Sequence, residues 1–251
     1  MTPTLPPVCI LAGGRGTRLG DRVRNIPKPL VEVAGAPFLV HQLRLLASHG
    51  VTDIVLCVGY LAEMILERIG TTCCGIRITY QFDAPGPGGT LSAIRDALDA
   101  LGERFLVLYG DAYLRIDYGA AAAAWRRAGT PAMMAVLRNE NRWDASNALV
   151  DGARVIAYDK RSPQPRMTWI DYGLGGLESR VVTRAARAST DLGDLYAELA
   201  RRGQLFAFEA TERFYEIGTP ESLEETDRFL RGLQQAGDEH GEAPAVRGEC
   251  P

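Results

Sequence analysis

The chain has 251 residues, a formal charge of −3 and an apolar fraction of 46%. That length supports a sizeable core and fits one large α/β domain or two small ones. The near-neutral charge carries no footprint for nucleic acid or an anionic membrane, and no stretch reads as a signal peptide or a membrane span, so a cytoplasmic location is expected. Cys9 and Cys57 sit in apolar strand patterns and read as buried thiols. Cys73-Cys74 has no metal spacing, and the odd count of five cysteines suits a reducing compartment.

Val8 to Leu11 is a short apolar run, read as a buried strand. After it come Ala12, Gly13, Gly14, Arg15, Gly16, Thr17, Arg18 and Leu19, with Pro27-Lys28-Pro29 a little further on. Glycines at the end of a buried strand let the backbone approach a ligand closely and present a row of N–H groups to an anion. Two arginines lie in the turn, and the prolines hold the backbone around Lys28 extended. The stretch reads as a triphosphate cradle. A P-loop is excluded because no lysine follows a glycine here, and the dinucleotide fingerprint fails at Leu19, where it needs a third glycine.

Leu11-Ala-Gly-Gly-x-Gly-Thr-Arg-Leu19 with Pro27-Lys28-Pro29-Leu30 resembles the signature of the sugar-1-phosphate nucleotidyltransferases, or nucleotide-sugar pyrophosphorylases. Within that family the short chain is most similar to the heptose- and mannose-1-phosphate guanylyltransferase branch. The resemblance covers residues 7 to 230.

Helical periodicity runs from Pro37 and Phe38 to Leu46, a second buried strand covers Ile54 to Val58, a short helix Leu61 to Ile69, and a third strand Ile76 to Gln81. This rhythm argues a parallel sheet with helices on both faces. The fold expected is single-domain, three-layer and Rossmann-like (glycosyltransferase-A-like), with a mixed, mostly parallel sheet. Residues 83 to 89 form a breaker-rich loop, and Thr90 is expected to cap the next helix. The loop reads either as a plain linker or as a place where backbone meets a flat ligand. The resemblance implies that Gly88, Gly89 and Thr90 meet the base and ribose.

Phe105 to Tyr109 is a central strand ending in Gly110-Asp111. Ligands in open α/β sheets bind beyond the carboxyl ends of strands, so Asp111 is the best-placed carboxylate for a metal; capping the next helix is its other reading. Asp117 is expected to cap the helix Tyr118 to Ala128, and Ala132 to Leu137 is a further strand. Arg138 to Asn147 is polar and loop-like. Ala148 to Tyr158 reads as a hairpin leading to Asp159-Lys160. The resemblance implies that Lys160 holds the sugar phosphate; from the residues alone it is an exposed lysine at a strand end. Many family members carry Asn-Ala-Gly where Asp171-Tyr172-Gly173 stands. An aspartate only accepts where an asparagine also donates, so sugar recognition is expected to differ. Thr190 or Asp191 caps a helix from Leu192 to Arg202, Phe206 to Phe208 and Arg213 to Ile217 read as strands, and Thr219 caps a last helix. Two residues before Gly218 the resembled motif has an aspartate as second metal ligand; here Glu216 stands. The catalytic domain is expected to span 1–234, with 235–251 a disordered tail.

These parts imply nucleotidyl transfer from a nucleoside triphosphate without nucleic acid or membrane, and the resemblance implies GTP as the favoured donor and a sugar 1-phosphate of the heptose or hexose kind as acceptor. The resemblance assigns Arg18 to the β/γ-phosphates, Lys28 to the α-phosphate, Lys160 with Asp171, Tyr172 and Gly173 to the sugar phosphate, and Asp111 with Glu216 to Mg²⁺. Leu11 to Thr17 would line the cradle. A homodimer is left open. The competing readings are a uridylyl-, thymidylyl- or cytidylyltransferase acting on another sugar or a non-sugar phosphate, and a non-catalytic nucleotide-sugar-binding protein.

Overall fold

Alternation along the first strand, β1 (Val8–Leu11), splits its side chains between two cores: Val8 and Ile10 enter one, Cys9 the other. The computed structural model describes residues 5–23, 25–84, 88–185 and 189–240, the side chains of 21–23 and 237–240 excepted. After β1 come two 3-10 turns, Thr17–Val23 and Lys28–Leu30, and a tight hairpin of β2 (Glu32–Val33) and β3 (Ala36–Pro37). Its turn residues Ala34 and Gly35 both have positive φ, 47° and 79°. Then follow α1 (Phe38–Ser48), β4 (Asp53–Val58), α2 (Ala62–Ile69), β5 (Thr72–Cys73) and β6 (Ile76–Phe82). The middle of the chain holds α3 (Thr90–Asp96), α4 (Leu98–Leu101), β7 (Arg104–Tyr109), β8 (Ala112–Tyr113), α5 (Tyr118–Ala128) and β9 (Ala132–Arg138). The last third holds β10 (Ala148–Asp151), β11 (Arg154–Tyr158), β12 (Trp169–Glu178), α6 (Ser179–Arg184), α7 (Leu192–Arg201), β13 (Leu205–Ala210), β14 (Tyr215–Glu216) and α8 (Pro220–His240).

The main sheet has the order β10-β11-β13-β9-β12-β7-β1-β4-β6-β5. It is parallel across β6, β4, β1 and β7, as the strand–helix rhythm implies. Beyond β7 the expectation of a mostly parallel sheet gives way. β12 runs antiparallel to both β7 and β9, and only β9 and β13 pair in parallel there. Ala148 also pairs with Trp169, which closes β10, β11, β13, β9 and β12 into a ring. The architecture is α/β with a mixed sheet, and this half departs from a simple Rossmann layout.

Both faces carry helices. Side chains of α1, α2 and α5 pack on the core that takes Ile54, Leu56, Leu106 and Leu108. Those of α3, α4, α6 and α7 pack on the core that takes Val55, Cys57, Phe105 and Val107. Burial on both faces is why these strands read as continuous apolar runs. Cys9 and Cys57 are buried and free, as the strand pattern implies. α8 joins a third, smaller core with Leu19, Val33, Phe38 and Ile217. It extends to His240, past the expected boundary at residue 235, and residues 241–251 lie outside the described residues.

Caps explain several boundaries. The Asp117 carboxylate accepts from Ala120 N at 2.8 Å, and that of Asp191 from Gly193 N at 2.7 Å. Thr219 and Ser222 bond reciprocally at the start of α8. Thr90 differs from expectation. It is the first residue of α3, Gly89 is the cap, and the Thr90 hydroxyl instead accepts from Leu192 N at 2.8 Å, tying α3 to α7.

Candidate active site

Four parallel strands end at one edge, and the loops beyond them enclose a cavity of about 650 Å³. Leu11, Ala12, Gly13, Gly14 and Arg15 line it, as do Gly88, Gly89 and Thr90, together with Lys28 and Asp111. The glycine turn leaves β1 where the ladder stops: Ala12 N donates to Cys57 O at 2.8 Å, and Gly110 N to Leu11 O at 2.9 Å. Arg15 lies with its guanidinium 5.6 Å from the centre of the Tyr60 ring. Gly16 and Thr17 do not reach this lining; Gly16 turns the chain at φ 64° and accepts from Leu19 N.

A second cavity, of about 680 Å³, adjoins the first. Arg18, Lys160, Asp171, Tyr172, Gly173 and Glu216 line it, and Tyr109 and Asp111 line both cavities. Sixteen of the eighteen site residues singled out from sequence thus fall on two adjoining hollows, all but Gly16 and Thr17, and Arg18 stands in the second rather than beside the glycines. The shared wall is the end of β7.

Lys28 is the most buried cation of the site, 8% exposed, and its Nζ donates to Asp111 Oδ2 at 2.6 Å. The 3-10 turn that carries it closes through Leu30 N to Pro27 O, 2.8 Å, and Val31 N to Lys28 O, 3.1 Å. The Asp111 backbone is pinned from behind. Gln42 of α1 donates through Nε2 to the carbonyls of Tyr109 (3.0 Å) and Ala112 (2.6 Å), and Ile217 N donates to Asp111 O at 3.0 Å. The β8–β14 ladder sets Glu216 opposite Ala112, so the two carboxylates reach the same cavity from adjacent strands. Gly218 leaves room for the Glu216 carboxylate, which folds over it. Among the described residues no cluster of three or more metal-binding side chains occurs.

In the second cavity, Lys160 is exposed and holds its Nζ 5.4 Å from the centre of the Tyr109 ring. The β12 strand bulges between Asp171 and Gly175, with Gly173 at φ 99°, and the bulge turns Asp171 inward. Asp171 Oδ1 accepts from Gly173 N at 2.9 Å and Oδ2 from the Tyr158 hydroxyl at 3.3 Å. Burial raises the Asp171 carboxyl above its ordinary value, and the bond from Gly173 and the charge of Lys160 pull it back in part. Burial and the Asp96 charge likewise raise Asp83, which lines the first cavity against Gly13 and Gly59.

Sequence reasoning gives no site role to Tyr109, Gln42, Trp143 or Asn147, and Asp83, which it sets aside because it lies among loop breakers, also lines the first cavity. Tyr109 carried a usable signal, since it precedes Gly110-Asp111 at a strand end. Gln42 carried none, because nothing local says that a helix amide will face a strand end 67 residues away.

Residues 8–231 match the family model described as nucleotidyl transferase, and the chain belongs to that family. It is 27% identical over 231 residues to the mannose-1-phosphate guanyltransferase beta-B of Xenopus laevis, an alignment that covers 89% of this chain and 62% of the relative. The chain thus spans about three fifths of that relative's length. Over a shorter stretch of 114 residues it is 41% identical to the CMP-5'-(3-aminopropyl)phosphonate synthase of Streptomyces rubellomurinus, covering 44% of this chain and 18% of that protein. Its fold matches the crystal structure of a putative glucose-1-phosphate thymidylyltransferase from Bacillus anthracis with a TM-score of 0.79 at 21% identity, over 90% of this chain and 95% of the other. Among the described residues no helix is long and apolar enough to cross a membrane.

Proposed function

We propose that the chain transfers a guanylyl group from GTP to the phosphate of a sugar 1-phosphate, giving a GDP-sugar and pyrophosphate. The observation that carries this reading is the pair of adjoining cavities with Asp111 in their common wall, Lys28 on the glycine-loop side and Lys160 on the other. Membership of the nucleotidyl transferase family and the guanyltransferase relative support it. In this reading the fold is a three-layer, glycosyltransferase-A-like variant of the Rossmann arrangement, and the protein works in the cytoplasm.

The glycine turn would take the triphosphate on its backbone N–H groups. An oxygen of the acceptor phosphate attacks the α-phosphorus, the bond to the β-phosphate oxygen breaks, and pyrophosphate leaves with that electron pair. The acceptor needs no general base, because a phosphate monoester loses its second proton near pH ~6 and is largely dianionic at neutral pH. The obstacle is bringing two anions together. Positioning and cationic stabilisation must supply most of the rate. Lys28 is buried and suited to the α-phosphate, Lys160 to the acceptor phosphate, and Arg18 to phosphate charge in the second cavity. Asp111 and Glu216 fit Mg²⁺, which takes one or two carboxylates and completes its shell with phosphate and water oxygens. Bound there, the ion would neutralise phosphate charge; the ion pair of Lys28 with Asp111 holds both side chains in place until nucleotide arrives.

A second reading is cytidylyl transfer to a phosphonate, favoured by the 41% identity to the phosphonate synthase. Pyrophosphate release measured over a grid of GTP, CTP, UTP and dTTP against sugar 1-phosphates and short phosphonates separates the two. Turnover only with CTP and a phosphonate would replace the first reading by the second.

A further inference from the structure

The segment joining β9 to β10 is a densely bonded loop. Asn139 is 1% exposed and Ser146 2%. The Asn139 amide donates to Asp144 O at 2.7 Å and to Ser146 Oγ at 3.0 Å, and its carbonyl accepts from Trp143 N at 3.1 Å. Asn141 and Ser146 exchange two more bonds, 3.0 Å and 2.8 Å. Glu140 and Asn141 turn through positive φ, 50° and 59°, to close it. Buried amides in a loop are expensive unless fully bonded, and here they are. Yet this well-built loop leaves the Trp143 indole 43% exposed, on the wall of the acceptor cavity.

The indole is also braced. The Arg213 guanidinium lies 3.9 Å from the centre of the Trp143 ring and 4.5 Å from that of Tyr215. Glu225 holds Arg213 with two bonds of 2.7 Å and 2.9 Å, and Tyr215 stacks on Phe229 at 3.7 Å. A side chain fixed this firmly and left open on a cavity is pre-ordered for a ligand, so little entropy is lost on binding.

We infer that Trp143, braced by Arg213, is the stacking wall that selects a cyclic sugar as acceptor. This rests on the function proposed above. A pyranose has an apolar C–H face and a hydroxyl edge; the indole matches the face, and Asp144, Asn147 and Asp171 in the same cavity match hydroxyls. The base of the nucleotide is a poorer candidate, because Trp143 is absent from the lining of the glycine-loop cavity. A short acyclic phosphonate has no ring face to offer.

The test compares wild type, Trp143→Ala and Trp143→Phe with mannose 1-phosphate and with 3-aminopropylphosphonate. Trp143→Ala should raise KM for the sugar phosphate about tenfold, leave KM for GTP within about twofold, and leave any turnover of the phosphonate unchanged. Trp143→Phe keeps a ring and should recover most of the loss. A second readout is independent of turnover: mannose 1-phosphate should shield wild-type tryptophan fluorescence from acrylamide, and Trp143→Phe should abolish the shielding. Normal KM in a folded Trp143→Ala, or shielding that survives in Trp143→Phe, overturns the inference while the proposed function stands. A wild type that uses the phosphonate and no sugar phosphate overturns both. If Trp143→Ala does not fold, Trp143→Phe and the shielding measurement decide.

Discussion

Replacing Lys28 by methionine removes the charge and keeps most of the buried stem, so it isolates what the ammonium contributes. In the nucleotide-free protein that contribution is one charge-assisted bond of 2.6 Å to Asp111. Such bonds are worth about 1.5–3 kcal/mol. The lower figure applies, because the Asp111 side chain is 33% exposed and water can take over part of the bond. At roughly 2–4 °C per kcal/mol for a chain of this size, Lys28→Met should lower Tm by about 3–6 °C. The chemical effect should be far larger. If the ammonium stabilises charge redistributed at the α-phosphorus, kcat should fall on the order of 10²-fold or more. Asp111→Asn supplies the converse. It leaves the more buried partner, the Lys28 side chain at 10% exposure, without its counter-charge, so it should destabilise the empty protein more than Lys28→Met does. Saturating triphosphate should then restore part of the Asp111→Asn loss, since a phosphate replaces the missing carboxylate and binding stabilises the folded state. The assay is pyrophosphate release beside thermal unfolding, with and without GTP. A fall in kcat below about fivefold for Lys28→Met, or Tm losses in the reverse order, would refute the assignment.

Lys160→Ala should raise KM for the sugar phosphate and barely alter KM for the triphosphate, because it meets a group already anionic in the ground state; an effect on triphosphate binding alone would move Lys160 out of the acceptor site. Asp171→Asn tests the raised carboxyl. A native value above the unfolded one means that Asp171 contributes its stability below the unfolded value, near pH ~4, and loses it as pH rises through the native value. The Tm of Asp171→Asn relative to wild type should therefore climb as pH rises from about 4. Parallel curves would mean that the native Asp171 carboxyl titrates as it does in the unfolded chain.

What was legible in the sequence was local. The glycine turn and Pro27-Lys28-Pro29 declare themselves through residue types that constrain their own backbone. Asp111 could be placed on a cavity wall because it follows a strand end, where clefts open in such sheets. The antiparallel β12 was not legible: its apolar and glycine residues are buried on both faces whichever direction the strand runs, and direction depends on strand order, which no local pattern encodes. The misread cap at Thr90 has the same origin. Its hydroxyl serves Leu192, a partner 102 residues away. Trp143 stood in a stretch read only as polar loop, and its meaning comes from Arg213 and Tyr215, brought alongside by the fold. The charge change from asparagine to Asp171 was visible, but its raised carboxyl follows from burial at the β12 bulge, against which the bonds from Gly173 and Tyr158 pull only in part.

The central claim is that the nucleotide's α-phosphate leaves with the acceptor and that pyrophosphate is the other product. The direct measurement is to incubate the protein with Mg²⁺, mannose 1-phosphate and GTP carrying one label on the α-phosphorus and another on the γ-phosphorus, then separate the products. The account predicts equal yields of an α-labelled GDP-sugar and γ-labelled pyrophosphate, both abolished by Lys28→Met. Release of γ-labelled inorganic phosphate with the α-label left in GDP would contradict it, because that is hydrolysis of the terminal phosphate and not nucleotidyl transfer.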